Sequence, residues 1–458
     1  MAVAGGRQVL RLSGGEETGL VHMSAVEAAR AIRAGTMTSE ELVRACLERI
    51  TALEEQVGAW TYLDPDHALK QARDADLARR EGKTLGPLHG IPVGVKDIFD
   101  TYDMPTENGT VLHTGRKPAA DAAAVALLRQ AGAIIMGKTV TTELAVYAPG
   151  KTRNPRDPER TPGGSSSGSA AAVAAFMVPL AIGTQTNGSV IRPASYCGVV
   201  GYKPSYGLIS RHGVLRQSRA LDQVGLFART VEDAALIAEQ LMVFDDRDPD
   251  MRRVERPNLV QMVAEEPPVP PRLAFVRTPV WDQAEKDTQE AFAGLVERLG
   301  KHVEAVQLPD LFDHAVTWHR TIMEADLAKS FEREYALGRD RLSATLREMI
   351  ERGQKVLAGD YRRAVEQIPL LNRSLEDIFE QYDAILTPAT TGESPVGLTS
   401  TGSPIFCTIW TLCGVPAISL PILQGSSGMP IGAQLVGANG ADARLLRTAR
   451  WLARLAQH

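Results

Sequence analysis

The segment Pro162-Gly-Gly-Ser-Ser-Ser-Gly-Ser169 runs directly into the small apolar stretch Ala170-Ala-Ala-Val-Ala-Ala-Phe-Met-Val178. Glycine and serine at this density are typical of a flexible linker, which is one interpretation of residues 163–169. The apolar stretch instead predicts a buried helix, because small side chains pack closely against neighbouring elements. A linker that enters a buried helix without a polar break would be unusual. The segment therefore favours an ordered loop in the middle of one domain.

Apolar runs on both sides of this segment predict strands, and amphipathic stretches predict helices. Strands are predicted near 90–97, 133–136, 180–182, 273–276, 384–386 and 417–420. Helices are predicted over most of 24–83, where Thr38 and Glu41 form a plausible capping box, and over 121–131, 169–178, most of 231–382, and 441–455. This alternation predicts the α/β class, with a mixed central β-sheet covered by helices on both faces.

The composition excludes several classes of protein. The chain has 458 residues, 44% hydrophobic and 23% charged, and a formal net charge of -5. No tract of lysine and arginine indicates a nucleic-acid surface, and no apolar run reaches the roughly 20 residues that a membrane helix needs. Four cysteines without a C-x-x-C pair, and a beginning without an apolar signal region, favour a cytoplasmic location.

Two short motifs match patterns whose structural context is missing. Residues 132–139 satisfy the P-loop pattern, but the apolar residues between its glycines predict a strand where a phosphate-binding turn is needed. Residues 164–168 satisfy G-x-S-x-G, but no strand leads into them as a nucleophile elbow requires. Cysteine and histidine do not cluster in a ligand pattern, and His89 is interpreted as structural. The sequence therefore predicts no metal and no cofactor.

A nucleophilic serine with a lysine base is the chemistry that these residues favour. A serine hydroxyl needs a base, and no histidine of the chain has a recognisable catalytic context. Lys96 follows an apolar run, and burial lowers a lysine pKa because the charged form loses its hydration. The Asn187-Gly188 step before Ser189 suits a turn whose N–H groups converge on an oxyanion. The alternative is a surface lysine beside a flexible segment.

Long sequence blocks resemble the amidase signature family over about residues 24–455. The blocks are P-G-G-S-S-S-G-S-A-A-A-V-A-A from 162, G-T-Q-T-N-G-S from 183, C-G-V-V-G-Y-K-P-S-Y-G from 197, G-I-P-V-G-V-K-D from 90, G-V-P-A-I-S-L-P from 414 and M-P-I-G-A-Q-L-V-G from 429. The resemblance implies one amidase domain over 1–458. Its parts would be N-terminal helices (about 20–83), a catalytic signature core (84–230), a mostly helical substrate-side region (231–382), and returning strands with a C-terminal helix (383–458).

The resemblance also implies a Ser–cis-Ser–Lys triad. The base falls on Lys96, the bridging serine on Ser165 and the nucleophile on Ser189, 24 positions further along the chain. An unbroken chain of hydrogen bonds is expected from the Lys96 amine through the Ser165 hydroxyl to the Ser189 hydroxyl. A cis peptide bond is expected between Gly164 and Ser165. The family's oxyanion hole falls on the backbone N–H groups of Thr186, Asn187, Gly188 and Ser189. Ser166 is expected to support the site through a hydrogen bond.

Two departures from the family pattern concern the segment around the nucleophile. The usual G-T-D-x-G-G-S is G-T-Q-T-N-G-S here, with Gln185 and Asn187. Arg192 follows the nucleophile by three residues, a spacing that resembles the malonamidase branch, where the arginine holds a substrate carboxylate. Both that role and a structural ion pair remain open for Arg192. Asp222, in another family block, is interpreted as structural.

The resemblance implies hydrolysis of a small-molecule amide through an acyl-enzyme, at a pocket lined by about 140–150 and 315–380. The same chemistry serves carbamates (urethanes), anilides and esters, so these stay as alternatives. A further alternative is one component of an amidotransferase, which would act on charged tRNA together with a partner. A catalytically inactive binding protein is another. No nucleic-acid or membrane partner is expected, and a homodimer is compatible with the family.

Overall fold

The computed structural model describes residues 19–456, which form one mixed sheet with helices around it. The strands are β1 (Trp60–Leu63), β2 (Pro92–Lys96), β3 (Ile134–Thr139), β4 (Leu180–Gln185), β5 (Val200–Lys203), β6 (Gln223–Ala228), β7 (Leu273–Val276), β8 (Val303–Val306), β9 (Ala384–Pro388), β10 (Ala417–Gln424) and β11 (Pro430–Val436). Their order in the sheet is β1-β3-β2-β4-β6-β5-β10-β11-β9-β7-β8.

The α-helices follow the chain between these strands. They are α1 (Ala25–Ala34), α2 (Ser39–Val57), α3 (Pro65–Arg80), α4 (Ala123–Gln130), α5 (Ser167–Ala174), α6 (Ile191–Cys197), α7 (Val231–Leu241), α8 (Leu259–Ala264), α9 (Lys286–Leu299), α10 (Ala315–Ser330), α11 (Glu332–Gly338), α12 (Ala344–Gly353), α13 (Ala358–Phe379), α14 (Ile405–Leu412) and α15 (Asp442–Leu455). Short 3-10 helices lie at Leu20–His22, Val111–His113, Glu143–Ala145, Trp281–Gln283, Gly300–His302, Asp310–His314 and Arg339–Arg341.

The predicted class is confirmed, because the sheet combines parallel and antiparallel pairs. Strands β3, β2 and β4 are parallel neighbours, as are β9, β7 and β8, and the pairs between these two groups are antiparallel. The capping box of Thr38 and Glu41 at the start of α2 is formed. The sequence missed β1, β5, β6, β8 and β11. Strand β1 lies inside the region expected to be helical, where it pairs with β3.

Helix α5 is the buried helix that the small apolar residues predict. Each of its residues is buried, and it packs against β2, β3, β4 and β6. The glycine Gly168 sits where a Cβ would meet the backbone of Ala59 and Val140 at 2.4 Å. Small side chains thus bring α5 close to the sheet, which fixes the loop in front of it above the ends of β2 and β4.

Candidate active site

The candidate site lies where the carboxyl ends of β2 and β4 meet. The two strands are parallel neighbours, with Val95 opposite Ile182, so Lys96 and Thr184 end at the same edge. The chain passes from β2 to β3 on one side and then to β4 on the other, so the order of strands reverses at β2. In open α/β sheets such a reversal opens a crevice that commonly binds ligands.

Lys96 is fully buried at this edge and contacts two hydroxyl groups. Its Nζ lies 2.7 Å from Ser165 Oγ and 2.9 Å from Thr184 Oγ1. Burial lowers the pKa of Lys96 well below its usual range, and the carboxylate of Asp222 opposes that shift only in part. A hydroxyl can donate as well as accept, so both partners can bind a neutral amine. The structure thus buries Lys96 and brings it to Ser165, the residue with which the sequence analysis paired it.

The loop before α5 carries Ser165 to the lysine by a turn at two glycines. Gly163 and Gly164 have φ values of 81° and 63°, which glycine adopts without steric penalty. All peptide bonds in residues 19–456 are trans, so the expected cis bond between Gly164 and Ser165 is wrong for this structure. The two left-handed glycines turn the chain in front of Ser165.

The side chain of Ser189 contacts the backbone of the same loop. The N–H of Ser165 donates to Ser189 Oγ at 3.0 Å, and no hydrogen bond joins the two hydroxyls within residues 19–456. The expected direct link between the hydroxyls is thus replaced, because the buried N–H of Ser165 needs an acceptor. A Cβ on Gly164 would lie 3.1 Å from Ser189 Cα, so glycine is required at this approach.

The turn from Thr186 to Ser189 keeps its backbone N–H groups free. None of these four N–H groups donates to an acceptor in the part of the chain that the structure describes. The side chain of Gln185 instead accepts from the N–H groups of Val190 and Ile191, at 2.9 and 3.0 Å. Free N–H groups around a concave turn are a suitable binding site for an oxyanion.

Ser166 and Asp222 form hydrogen bonds with the residues at the start of this turn. Ser166 Oγ donates to the carbonyl of Thr184 and accepts from its N–H, at 3.1 and 3.2 Å. Asp222 accepts from the hydroxyl of Thr186 at 2.7 Å and from the N–H groups of Gln217 and Ser218. Burial raises the pKa of Asp222 to about 6. Both side chains therefore hold the backbone at the start of the turn.

The sequence profile of the Amidase family matches residues 41–446, which is most of the chain. The chain belongs to the amidase family.

Curated relatives of this amidase are similar over nearly their whole length. The A subunit of glutamyl-tRNA(Gln) amidotransferase from Chloroflexus aurantiacus is 34% identical over 470 residues, which cover 94% of this chain and 96% of that protein. The same subunit from Symbiobacterium thermophilum is 35% identical over 482 residues, covering 95% and 97%. The chain is therefore similar to amidotransferase A subunits, a function that its sequence motifs indicated only as an alternative.

Solved structures extend the comparison to hydrolases. The peptide amidase from Stenotrophomonas maltophilia superposes with a TM-score of 0.83 at 29% identity, covering 95% of this chain and 97% of that one. The 6-aminohexanoate cyclic dimer hydrolase, complexed with substrate, gives 0.85 at 27% identity, covering 96% and 98%. The amidase thus has the single-domain α/β fold, with helices flanking a large mixed sheet, that its resemblance implied.

Arg192 of this amidase is fully buried without an acidic partner. Its Nη1 donates to the carbonyl of Gly402 at 2.5 Å, whereas Nε and Nη2 have no partner among residues 19–456. Burial lowers the pKa of Arg192, and the groups whose charges oppose that shift are Tyr147, Tyr196 and Cys407, none of them a carboxylate. The structural ion pair that the sequence left open is therefore not formed by the described residues.

A cavity of about 760 Å³ opens beside the candidate site. Its lining includes Thr184 and Thr186, together with Gln217 and Asp222. The cavity therefore reaches within one hydrogen bond of Lys96, because Thr184 contacts both. Neither Ser165 nor Ser189 belongs to its lining.

Other features of the described residues bear on metals and membranes. No group of three or more histidine, cysteine, aspartate or glutamate side chains in residues 19–456 is arranged to hold a metal ion. None of the helices in that range combines the length and the apolar character needed to cross a membrane.

The four cysteines are free and buried. Lys138, in the P-loop-like motif, belongs to β3, as the strand interpretation predicts.

Sequence reasoning missed three residues that contact the site. Thr184 is the second partner of Lys96, and the strand pattern could have identified it at the end of β4. Tyr147 lies in the 140–150 loop that the resemblance placed at the pocket, but no pattern singled it out there; its hydroxyl accepts from Asn187 Nδ2 at 3.0 Å. His319 lies on α10, within the 315–380 region also expected at the pocket, and only the fold shows that it reaches the carbonyl of Thr186.

Proposed function

We propose that this chain hydrolyses the C–N bond of a small-molecule amide through an acyl-enzyme on Ser189. The observation that carries the proposal is the buried amine of Lys96, which contacts two hydroxyls and no carboxylate. An amine whose pKa is lowered by burial is available as a base near neutral pH. Ser165 stands between that amine and Ser189, which is 7% exposed and so can be reached.

The proposed reaction begins with transfer of the Ser189 proton to Ser165 Oγ, as Ser165 passes its own proton to neutral Lys96. The hydroxyl of Ser189 already accepts from the backbone N–H of Ser165, and the proposed step has a side-chain rotation bring the two hydroxyls together. Ser189 Oγ then bonds to the carbonyl carbon. The proton returns through Ser165 to the departing nitrogen as the C–N bond breaks. Water, deprotonated by the same groups, releases the acid.

The free N–H groups of residues 186–189 are the proposed oxyanion hole. Preorganised donors of this kind act on the charge that develops in the transition state, and one donor is worth about 3 kcal/mol. Gly164 serves by allowing the loop of Ser165 to approach Ser189 closely. The helical region 231–382 is proposed to border the acyl pocket. Its helix α10 supports this, because His319 and Met323 contact Thr186 and Tyr147.

The substrate class proposed is an amide that carries a carboxylate, as the malonamidase-like spacing at Arg192 suggests. A buried guanidinium with two nitrogens unpartnered in the described residues is suited to a bidentate anion. Arg192→Ala should then raise KM for carboxylate-bearing amides far more than for neutral amides, anilides or carbamates. An equal effect of Arg192→Ala on all four types of substrate would rule out recognition of a substrate carboxylate. Hydrolysis of carbamates, anilides or esters by the same serine would then remain as the alternative.

A second candidate function is that of an amidotransferase component with a partner. Similarity to the A subunits over more than nine-tenths of this chain favours it. The purified chain distinguishes the two, because a hydrolase turns over small amides alone. An amidotransferase component would show strong activation by its partner proteins. A homodimer, from family analogy, and a cytoplasmic location, from four cysteines without a C-x-x-C pair, remain proposals.

Ser189→Ala tests the proposal directly. We expect loss of turnover on every amide of the panel, by about 10⁶-fold as for other serine nucleophiles, with an unchanged melting temperature. Ser167→Ala is the matched control, because Ser167 is equally buried in the same region and its hydroxyl has no partner among residues 19–456. Turnover retained by Ser189→Ala would refute the assignment of the nucleophile.

A further inference from the structure

Three consecutive carbonyl groups in the turn after β4 are each held by a different donor. The carbonyl of Thr186 lies 2.9 Å from His319 Nε2, and the carbonyl of Asn187 accepts from Thr411 Oγ1 at 2.5 Å. The carbonyl of Gly188 accepts from the N–H of Arg192 at 3.0 Å. The donors come from α10, α14 and α6, so three separate helices fix the backbone of one turn.

Holding these carbonyls also aims the N–H groups that follow them. In a trans peptide the C=O of one residue and the N–H of the next point in opposite directions. Every peptide bond of residues 19–456 is trans, so the N–H groups of Asn187, Gly188 and Ser189 point away from the three donors. These are the N–H groups that find no acceptor in the described residues.

His319 is the donor that no sequence pattern indicates. It lies 133 residues from Thr186 along the chain and is 2% exposed. A carbonyl oxygen only accepts, so Nε2 must carry the hydrogen. Burial lowers the pKa of His319 to about 4, so the ring is neutral near pH 7.

We propose that His319 is a positioning residue that aims the N–H of Asn187 at the oxyanion, and that Thr411 does the same for the N–H of Gly188. The proposal rests on the acyl-enzyme chemistry proposed above. A donor displaced from the oxyanion weakens only the transition state, because the hole engages charge that is absent from the bound substrate.

The test compares His319→Phe with His319→Gln. Phenylalanine keeps a ring of similar size but has no donor, whereas the glutamine amide can donate to the same carbonyl. Each variant is assayed for kcat and KM on the best amide of the panel, over a pH series. Each is also treated with a fluorophosphonate, in which Ser189 Oγ bonds to phosphorus, fluoride leaves, and the serine proton passes to Ser165 and Lys96.

We expect His319→Phe to lower both kcat and the labelling rate by about 10- to 100-fold, below the roughly 10²- to 10³-fold typical of deleting such a donor outright. KM should change little, and the pH dependence of the remaining activity should keep its shape. His319→Gln should recover most of both rates. Thr411→Val and Thr411→Ser form a second pair with the same expectation, which keeps the test valid if a histidine variant does not fold.

Each other outcome overturns a distinct statement. Labelling of folded His319→Phe and Thr411→Val at the wild-type rate would overturn the positioning role and leave the proposed function intact. The positioning role would also be overturned if His319→Gln changed the pH profile, or if its kcat and labelling rate were no higher than those of His319→Phe. Failure of the wild-type chain itself to label or to cleave any amide would refute the proposed function, and the inference with it.

Discussion

Two buried lysines lie on adjacent parallel strands, and their surroundings give them different chemistry. Val95 pairs with Lys138, so Lys96 on β2 and Lys138 on β3 are close in register. Both are fully buried. Lys138 lies 3.2 Å from a carboxylate oxygen of Asp97 and donates to the carbonyls of Phe99 and Pro105 as well as to the hydroxyls of Thr106 and Thr101. Lys96 contacts hydroxyls alone, those of Ser165 and Thr184.

The acceptors decide which lysine can serve as a base. A carbonyl or carboxylate oxygen requires N–H donors, which the ammonium form supplies in full. Burial lowers the pKa of Lys138 only to about 8, because Asp97 opposes the shift. Lys203, the third fully buried lysine, likewise donates to carbonyl oxygens of Gln223 and Val415. Burial alone therefore does not identify the catalytic candidate, and the type of neighbouring oxygen does.

The largest expected effect separates the two lysines by activity. Lys96→Met should lower kcat by about 10²- to 10⁴-fold, the range of a general base. Lys138→Met should leave the kcat of the folded fraction within about threefold, since Lys138 makes no hydrogen bond to Ser165, Thr184 or Ser189 in the described residues. Active-site titration gives the folded, competent fraction for both variants. A Lys96→Met enzyme close to wild type in kcat would break the comparison.

The next largest effect distinguishes the two lysines by the stability of their methionine variants. Lys138→Met leaves the carboxylate of Asp97 buried without its cation, which costs roughly 3–5 kcal/mol of unfolding free energy. Lys96→Met removes a buried amine that has no counter-ion, so it should not destabilise the fold. Urea unfolding measures both, and adding Asp97→Asn to Lys138→Met should restore part of the loss. Similar destabilisation by the two methionine variants would contradict the assigned roles.

A smaller effect appears in the pH dependence of stability. The folded pKa of Lys96 is below the usual 10.5, so the unfolded chain binds this proton more readily between the two values. Stability of the wild type therefore rises with pH in that window, by at most about 1.4 kcal/mol per unit. The stability advantage of Lys96→Met over wild type should shrink as pH rises from about 6 to 9. An advantage that stays constant between about pH 6 and 9 would mean that the amine remains charged in the folded state.

The smallest effect concerns the second partner of Lys96. Thr184→Val removes one hydroxyl but keeps Ser165, so kcat should fall by about 10-fold, the value of one hydrogen bond. Thr184→Ser keeps the hydroxyl and should stay near wild type. Steady-state kinetics on the same amide compare them. Equal losses in both variants would indicate packing of the threonine methyl group, instead of hydrogen bonding, as the cause.

Prediction from sequence succeeded where the information is local. The apolar run before Lys96 predicted a buried strand, and the alanines after Ser169 predicted a buried helix, because each pattern lies within one element. It failed for β8, a four-residue strand whose residues are partly exposed within a helical region. It also assigned a direct bond between the hydroxyls of Ser165 and Ser189, although the donor that meets Ser189 Oγ is a backbone N–H.

The sequence by itself determined which groups are present, their spacing, and that Lys96 ends a buried strand. Only the tertiary structure decided that this amine meets hydroxyls, because Ser165 and Thr184 lie 69 and 88 residues further along the chain. The same holds for His319, which reaches Thr186 from another region of the fold. The pKa of a buried amine depends on all atoms around it, and those atoms come together only when distant segments pack.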